Sequence, residues 1–340
     1  MADPSVYPVS APVLAEVPCE ETELNEIEST LEERKGTELP QERREWLEQN
    51  ARRAWDKFYL RNGTRFYKDR HYLCAEFPVL QQLLEESDRL RIAAIGCGVG
   101  NSILPLLRQS PTVDAVAVDL SPRAVMQVRQ AACEIEDNKT YDYGENDSAT
   151  LLFNANKKRR KRQGARPDNE TVHNESEDTV SPTEGGSDRK HLRLRAWQCD
   201  VASHDLPLPV VEFQSHCALL LFVLSAVAPD KQIDVLRRVK SALRPGGVVL
   251  FRDYARCDMA QLRFRPETSR LAENYYVRND DTRSYFFQAD ELRSLFERAG
   301  FECEQCVYYR KEIRNRREQK TMRRVWLQGV FRVLSATESA

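Results

Sequence analysis

The stretch Arg91-Ile92-Ala93-Ala94-Ile95-Gly96-Cys97-Gly98-Val99-Gly100 predicts the fold of this chain. Its first five residues are mostly apolar and have the length of a buried strand, and three alternating glycines follow. Leu and Ile then recur at helical spacing between Ser102 and Arg108. A strand that ends in glycines and leads into a helix lets a ligand approach the bare backbone. The turn therefore predicts a cofactor site, with a tight turn that binds nothing as the alternative.

Further segments with strand and helix patterns alternate along the rest of the chain. Residues 113–118 form a second apolar run, and Ser121-Pro122 has the cap and first-turn residues of a helix. More strands are predicted at 194–198, 218–223, 248–251, 306–309 and 325–331, and more helices at 230–243 and 290–299. Strands that alternate with helices predict an α/β fold, a seven-stranded, mostly parallel sheet with helices on both faces. Its ligand should bind beyond the carboxyl ends of the central strands.

Two segments lack the hydrophobic periodicity of a folded domain. Residues 1–40 contain prolines and many acids, and residues 134–192 contain a basic run at 157–162 followed by Asn, Glu, Ser, Pro and Gly. We expect a disordered acidic arm at 1–40, an N-terminal extension at 41–90, a catalytic domain at 91–331 and a tail at 332–340. Residues 134–192 are expected to be a disordered insertion in that domain.

Composition narrows the class of protein. Hydrophobic residues make up 41% of the 340 residues, enough for a sizeable core. No run of about 18 apolar residues is present, so we expect no membrane-spanning helix. The acidic first residues resemble neither a secretory signal nor a transit peptide, which predicts the cytosol or the nucleus. The 51 basic and 53 acidic residues nearly cancel, but residues 310–324 are basic and either bind phosphate or form a solvated face.

Two acids follow predicted strands and suit a nucleoside ligand. Asp119 ends the second strand about twenty residues after the glycine turn. A carboxylate at this place can accept hydrogen bonds from both hydroxyls of a ribose. Asp200 follows the third strand, where an adenine amino group can be recognised. The same placement serves NAD, but no Tyr-x-x-x-Lys pair for hydride transfer is present, and the turn Pro245-Gly246-Gly247 is typical of methyltransferase sheets. We therefore interpret the site as one for S-adenosylmethionine.

A series of ordered motifs is more specific than the glycine turn. They resemble those of the eukaryotic tRNA 3-methylcytidine methyltransferases, from about 45 to 331 with the insertion excepted. The motifs are Trp55-Asp56-Lys57-Phe58-Tyr59, Phe66-Tyr67-Lys68-Asp69-Arg70-His71, Glu76-Phe77-Pro78, Gly96-Cys97-Gly98-Val99-Gly100-Asn101, Asp119-Leu120-Ser121-Pro122, Phe222-Val223-Leu224-Ser225-Ala226-Val227, Leu250-Phe251-Arg252-Asp253-Tyr254, Glu273-Asn274-Tyr275-Tyr276-Val277-Arg278 and Thr282-Arg283-Ser284-Tyr285-Phe286-Phe287.

The resemblance implies a Rossmann-like class I methyltransferase that converts cytidine 32 of the anticodon loop to 3-methylcytidine in a subset of tRNAs. The N-terminal extension would cover the cofactor and help to hold tRNA. Some relatives require an accessory protein such as an aminoacyl-tRNA synthetase, which makes one a candidate partner here. The residues implied to bind S-adenosylmethionine are Trp55, Tyr59, Gly96, Gly98, Asp119, Asp200 and Leu221.

The sequence departs from the family at one motif position. The family usually has an acid two residues before the first motif glycine, where this chain has Ala94, so a contact from that acid to the methionine end is not expected. Ala94 is the one feature that favours a catalytically inactive, RNA-binding relative. A methyltransferase acting on protein or on a small molecule is a further alternative.

The chemistry of cytosine suggests which side chains act on it. N3 of neutral cytosine already has a lone pair, so positioning should contribute more than a strong base. Methylation leaves a cationic base, which a carboxylate would stabilise. Asp253, at the end of the fifth strand, is the catalytic candidate together with Arg252; the alternative is that Asp253 pairs with Arg252 or caps a turn.

The target base must be unpaired before its N3 edge can enter a pocket. Aromatic residues between basic ones suit this task, because they offer stacking faces and phosphate partners together. A single Cys303-x-x-Cys306 pair lacks the second pair of a zinc site, so no metal is predicted. The residues predicted to bind RNA are Lys68, Arg70, His71, Tyr276, Arg278 and Arg283.

Overall fold

The computed structural model describes residues 17–19, 31, 36–64, 66–136, 143, 147–151, 192–315 and 320–334. Its main sheet contains eight strands. They are β1 (Val17–Cys19), β2 (Leu90–Ile95), β3 (Val113–Asp119), β4 (Leu194–Gln198), β5 (Ser215–Leu221), β6 (Leu243–Tyr254), β10 (Phe301–Asn315) and β11 (Lys320–Val333). A small second sheet is formed by β7 (Arg270–Ala272), β8 (Tyr275–Val277) and β9 (Arg283–Tyr285).

The main sheet has the order β1-β10-β11-β6-β5-β2-β3-β4. Strands β4, β3, β2, β5 and β6 are parallel, and β11 joins β6 antiparallel. The predicted seven-stranded, mostly parallel sheet is therefore confirmed. The eighth strand, β1, lies within the segment 1–40 for which the sequence predicts disorder, and it pairs with β10.

Helices cover both faces of the sheet, as predicted. The α-helices are α1 (Gln41–Gln49), α2 (Ala51–Asn62), α3 (Leu73–Glu76), α4 (Pro78–Glu86), α5 (Ile103–Gln109), α6 (Pro122–Ile135), α7 (Leu208–Val211), α8 (Gln232–Ser241), α9 (Met259–Arg263), α10 (Pro266–Ser269) and α11 (Ala289–Arg298). Side chains alternate along β2: Ile92 faces the core cluster that contains α4, α5 and α6, and Ala93 faces the cluster that contains α8 and α11. The central strands are thus buried on both sides.

The two last strands are much longer than the sequence pattern predicts. β10 and β11 form a continuous antiparallel hairpin from Phe301 paired with Val333 to Asn315 paired with Lys320. Cross-strand hydrogen bonds extend the strands through the basic residues of 310–324, where hydrophobic alternation is weak. β11 also continues to Val333, two residues into the predicted tail at 332–340.

Part of the predicted insertion at 134–192 packs on the domain. The Arg129 guanidinium lies 3.3 Å from the centre of the Tyr143 ring and donates a hydrogen bond of 2.5 Å to Asp147. Ala149 is buried, and Ser148 Oγ donates to Gln198 Oε1 at 3.1 Å. The remainder of the insertion, including the basic run at 157–162, lies outside the described residues.

No helix among the described residues is both long and apolar enough to cross a membrane.

A buried ion pair fixes the β10–β11 hairpin to the turn that follows β6. The Asp258 side chain is inaccessible to solvent, and its Oδ2 accepts hydrogen bonds of 2.8 Å from Arg324 Nε and from the Val325 backbone N–H. Its Oδ1 also accepts from the Ala260 N–H at 2.7 Å, which caps α9. A single carboxylate therefore joins three segments.

Replacing this carboxylate should destabilise the fold. Asp258→Ala leaves the Arg324 guanidinium buried without its main counter-ion, so we expect the free energy of unfolding to fall by about 3 kcal/mol. Urea denaturation measures this change. The control is Asp234→Ala, which removes an exposed pair with Arg237 and should cost less than about 1 kcal/mol. Equal losses in both variants would contradict the role of the Asp258 pair.

Candidate functional site

The carboxylate of Asp119 organises the carboxyl ends of the central strands. Asp119 Oδ2 accepts a hydrogen bond of 2.8 Å from the Gly98 N–H, and Oδ1 accepts one of 2.9 Å from the Ser121 N–H. Burial raises the pKa of Asp119 to about 6, although both hydrogen bonds act to lower it. Because Ser121 Oγ accepts from the Ala124 N–H at 3.3 Å, the predicted cap of α6 is confirmed. Asp119 therefore connects the glycine turn to the start of this helix.

Two glycines of the turn are required by close contacts. Gly96 has a φ of +60°, and a Cβ there would lie 2.5 Å from the Val223 side chain. Gly98 has a φ of +55°, and its Cβ would lie 2.9 Å from the Tyr59 hydroxyl. A larger residue would displace side chains that border the site. The glycines of this turn thus leave room for neighbouring side chains and a ligand.

Helix α2 covers the glycine turn. Tyr59 and Phe58 are buried against Val99, and the Trp55 ring lies 6.1 Å from that of Tyr59. Asp56 fastens the helix, because its Oδ1 accepts a hydrogen bond of 2.8 Å from Ser121 Oγ. Burial raises the pKa of Tyr59 well above its usual value, and the nearby charge of Asp119 raises it further. The N-terminal extension is therefore packed over the predicted cofactor site.

A cleft of about 340 Å³ opens between α2 and the sheet. Five of the seven predicted cofactor residues line it: Trp55, Tyr59, Gly96, Asp119 and Asp200. Gly98 lies beside the cleft through its bond to Asp119, whereas Leu221 packs in the core on the α4–α6 side of the sheet. The next residue, Phe222, lines the cleft instead, because successive side chains leave a strand on opposite sides.

Charged residues at the cleft form a network that the sequence did not reveal. Glu48 lines the cleft and accepts hydrogen bonds from Lys231 Nζ, at 2.6 Å, and from the Arg283 guanidinium. Arg283 is 7% exposed, and burial lowers its pKa to about 10. Arg283, which was predicted to bind RNA, thus lies inside the cleft. Only a ligand or a nucleotide that enters the cleft could reach it.

An aromatic cluster lies where the cleft meets the paired strands β6 and β11. We define it as Phe222, Tyr254 and Trp326, with the Phe222 ring 5.2 Å from Tyr254 and 5.8 Å from Trp326. Phe222 has a φ of +59°, a conformation that is uncommon outside glycine and is found often at functional sites. Residue Phe222 lines the cleft, so the cluster and the predicted cofactor site are adjacent.

Two of the predicted RNA-binding arginines lie on the aromatic cluster. The Arg70 guanidinium is 5.4 Å from the Phe222 ring centre and donates a hydrogen bond of 2.7 Å to Ser102 Oγ. The Arg278 guanidinium is 5.3 Å from the Tyr254 ring centre. Phe222 and Tyr254 belong to the motifs that resemble the family but were not predicted as site residues, and no site role was predicted for Trp326. Their proximity depends on the pairing of β5, β6 and β11.

The other predicted RNA-binding residues lie further from the cluster. Lys68 and His71 are exposed, and His71 Nδ1 is 3.3 Å from Gln109 Nε2. The Tyr276 ring stacks on Phe264, with centres 4.9 Å apart and planes at 10°. One face of Tyr276 is thus already occupied. Their roles in RNA binding stay predictions.

The predicted catalytic residue Asp253 is fully buried and does not line the cleft. Its Oδ2 accepts a hydrogen bond of 2.9 Å from the Ser225 N–H, and its Oδ1 accepts one of 2.9 Å from the Tyr254 N–H. Burial raises the pKa of Asp253 to about 6. Ser225 lies in the turn after β5 that carries Phe222 and Val223 to the cleft. This geometry favours the alternative prediction, in which Asp253 caps a turn and so has a positioning role.

The predicted partner of Asp253, Arg252, is a buried structural cation. It is 2% exposed, forms an ion pair with Glu76 and donates a hydrogen bond of 2.9 Å to Gln328 Oε1. Gln328 Nε2 donates in turn to the Glu76 carbonyl at 2.6 Å. Successive residues of β6 point to opposite faces, so Arg252 and Asp253 do not pair. Arg252 instead joins the N-terminal extension to β6 and β11.

Among the residues that the structure covers, no group of three or more His, Cys, Asp or Glu side chains is placed to hold a metal ion.

The pKa of Asp119 predicts how cofactor binding depends on pH. Ribose hydroxyls donate to the ionised carboxylate, so the affinity for S-adenosylhomocysteine should decrease as the pH falls through about 6 and the carboxyl is protonated. Isothermal titration calorimetry from about pH 5 to about pH 8, a range that includes the pKa of Asp119, measures this decrease. Asp119→Asn should bind weakly at every pH.

Asp253→Asn is the matched control, because Asp253 has a similar pKa but does not line the cleft. It should keep the pH dependence of binding. If Asp253→Asn abolished that dependence and Asp119→Asn retained it, the assignment of Asp119 would be wrong.

Comparison with known proteins identifies the family. A methyltransferase domain family matches residues 50–306. Human tRNA N(3)-cytidine methyltransferase METTL6 is 38% identical over 286 residues, covering 84% of this chain and 81% of the human protein. Xenopus tropicalis tRNA N(3)-cytidine methyltransferase METTL2 is 33% identical, covering 85% of this chain and 80% of the frog protein.

More distant matches include a Saccharomyces cerevisiae tRNA(Thr) (cytosine(32)-N(3))-methyltransferase, 28% identical over 92% of this chain and 42% of the yeast protein. Among solved structures, a SAM-dependent methyltransferase from Anabaena variabilis is similar at a TM-score of 0.48 and 10% identity, covering 84% of this chain and 95% of that one. The domain match confirms methyl transfer from S-adenosylmethionine as the predicted chemistry. With this identity extending over most of its length, the chain belongs to the tRNA N(3)-cytidine methyltransferase family.

Proposed function

We propose that this protein methylates N3 of cytidine in tRNA, at position 32 of the anticodon loop in a subset of tRNAs. The observation that carries the proposal is the contact between the cleft and the aromatic cluster: Phe222 belongs to both. The names of the human, frog and yeast relatives support cytidine N3 as the target, and the yeast name supports position 32. A nucleoside cleft beside aromatic rings and arginines suits a base that has left its stack.

The residues of the cleft fit S-adenosylmethionine. A Cβ at Gly96 would collide with Val223, so the turn leaves backbone open to the cleft, and Asp119 supplies a carboxylate for ribose hydroxyls. Asp200 presents a second carboxylate, whose Oδ1 also accepts a hydrogen bond of 3.1 Å from the Ala202 N–H. When bound, the cofactor supplies an electrophilic methyl group. Trp55 and Tyr59 would keep bulk water from the cleft.

The aromatic cluster would hold the target cytosine. Stacking on aromatic rings contributes about 1–3 kcal/mol per base in proteins that bind single strands. In the described part of the chain, the buried Trp326 Nε1–H has no hydrogen-bond acceptor. A buried unpaired donor is costly, and the O2 carbonyl of cytosine would satisfy it. Uracil also has O2, so Trp326 would orient the base, and recognition of the amino group would need other residues.

Asp253 would act through the turn after β5. Its carboxylate accepts from the Ser225 N–H, and that turn places Phe222 and Val223 beside the cleft. N3 of cytosine is already nucleophilic. The protein therefore needs to orient the cytosine and does not need to supply a strong proton acceptor. The cationic product is left close to Arg70 and Arg278, which would favour its release. Arg252, which precedes Asp253 in the sequence, would only support the fold.

The proposed activity is tested by mass spectrometry of tRNA nucleosides. The purified protein is incubated with S-adenosylmethionine and total tRNA, and we expect 3-methylcytidine to increase. Asp119→Asn is the negative control, because it should bind the cofactor only weakly. An unchanged level of 3-methylcytidine with an active methyl donor and every tRNA would refute the proposed substrate.

An accessory protein is the second part of this proposal, since some members of the family require an aminoacyl-tRNA synthetase. The same assay is therefore repeated with a purified synthetase added. A rate that rises only with the synthetase supports a required partner, and full activity of the chain alone excludes one.

Removing the Trp326 donor should impair catalysis without affecting the cofactor. Trp326→Phe keeps an aromatic ring but loses the N–H, and a lost hydrogen bond of about 1–2 kcal/mol lowers kcat/KM by roughly tenfold. Steady-state kinetics with a tRNA substrate measures this loss. Trp46→Phe is the control, because Trp46 is 40% exposed on α1 and is not part of the cleft. Wild-type kcat/KM in Trp326→Phe would exclude its role.

A further inference from the structure

Strand β4 lies at the edge of the main sheet, and its outer side is covered at Ala196. The Ala196 N–H donates a hydrogen bond of 3.2 Å to the Tyr143 hydroxyl, and the Ala196 carbonyl accepts one of 2.8 Å from Arg129 Nε. An edge strand otherwise leaves such backbone groups to solvent or to another chain. One residue of the insertion and one residue of α6 therefore cover this edge of the sheet.

A second part of the insertion, residues 147–151, is fixed beside β4 by an ion pair. Asp147 accepts two hydrogen bonds from the Arg129 guanidinium, at 2.5 Å and 3.0 Å, and both side chains are mostly buried. A pair with two such contacts fixes direction as well as distance. The Thr150 N–H donates to Asp147 Oδ2 at 2.9 Å, and Ala149 is buried in the core cluster on the α4–α6 side. These contacts on both sides of Ser148 set its position.

Two hydrogen bonds lead from Ser148 to the cofactor cleft. Ser148 Oγ donates to Gln198 Oε1 at 3.1 Å, and Gln198 Nε2 donates to the Leu120 carbonyl at 3.3 Å. Leu120 lines the cleft beside Asp119. The Gln198 side chain thus connects the insertion to the backbone of the cleft wall.

The Leu120 carbonyl lies where strand pairing stops. The parallel pairing of β3 with β4 ends at Asp119 opposite Gln198, so Leu120 is the first residue beyond it. The cap of α6 follows at Ser121. Between the two elements, the Gln198 side chain supplies a hydrogen bond that the strands no longer supply. Backbone that is fixed in advance does not have to be ordered when a ligand binds, and such preorganisation increases affinity.

We propose that Gln198 is a positioning residue for S-adenosylmethionine, and that Ser148 of the insertion acts through it. The Leu120 backbone borders the part of the cleft where Asp119 offers its carboxylate to the ribose, so the nucleoside end of the cofactor is the part affected. The insertion then contributes to cofactor affinity, although the sequence predicts it to be disordered. This inference concerns the cofactor alone and does not depend on the proposed tRNA substrate.

Isothermal titration with S-adenosylhomocysteine tests the two side chains. Gln198→Ala removes the hydrogen bond to the Leu120 carbonyl and should weaken binding by about tenfold, and Ser148→Ala should weaken it by about threefold. Ser148→Thr keeps the hydroxyl group and should bind within about twofold of wild type. Circular dichroism at the titration temperature shows whether each variant is folded.

A double variant separates positioning from a merely structural role. If Ser148 acts only through Gln198, the double variant Ser148→Ala, Gln198→Ala should bind no more weakly than Gln198→Ala alone. Losses that multiply in the double variant would show two independent effects and would contradict the proposal.

The matched control is Gln130→Ala. Gln130 is an exposed residue of α6 that donates to Glu134 Oε1 at 3.2 Å and does not line the cleft. This variant should bind S-adenosylhomocysteine with wild-type affinity. Wild-type affinity in Gln198→Ala, or an equal loss in Gln130→Ala, would overturn the proposal.

Kinetics with a tRNA substrate provide a second measurement. Gln198→Ala should raise the KM for S-adenosylmethionine by about tenfold and leave kcat within about twofold of wild type, because only uniform binding of the cofactor is lost. A protein that shows the expected binding losses but forms no 3-methylcytidine refutes the proposed reaction alone. A protein that forms 3-methylcytidine while Gln198→Ala binds the cofactor normally refutes the positioning role alone.

Discussion

The arrangement of the site depends on one buried carboxylate. Asp119 accepts hydrogen bonds from the glycine turn and from the first residues of α6, and Ser121, which donates one of them, also donates to Asp56 of α2. Three segments that are distant in sequence are thereby held around one side chain. Burial raises the pKa of Asp119 to about 6, so the protein maintains this charge at some expense of stability. The same low-dielectric surroundings strengthen the hydrogen bonds that the carboxylate can form with a ligand.

A second carboxylate, Asp253 of β6, has a similar function. Asp253 is buried below the turn after β5 and holds it through the Ser225 N–H. The turn includes Phe222, whose positive φ directs its ring toward Tyr254 and Trp326. Asp119 and Asp253 therefore shape the two halves of the site, the cleft and the aromatic cluster. In each case, the carboxylate fixes backbone that borders the site.

The N-terminal extension and the β10–β11 hairpin both contribute residues to the site. Arg252 connects them, because it pairs with Glu76 before α4 and donates to Gln328 of β11. The extension thus packs as part of the domain and is not a separate unit. Its helix α2 lines the cleft on one side and carries exposed cations on the other.

Local sequence patterns determined the five parallel strands, the glycine turn, the cap of α6 and the acids at the ends of β3 and β4. These features depend on neighbouring residues, so the predicted sheet is confirmed and Asp119 and Asp200 line the cleft. The family resemblance added Trp55 and Tyr59, which periodicity alone would have assigned to an ordinary helix.

Only the tertiary structure decided the facing of side chains and the contacts between distant segments. It buried Arg252 and Asp253, placed Arg283 with Glu48 inside the cleft, and brought Trp326 to Phe222 across paired strands. It also extended β10 and β11 beyond their hydrophobic alternation, because hydrogen bonds to a partner strand require no pattern in the sequence. Strand pairing and burial arise from residues far apart in the chain, and a local pattern contains no record of them.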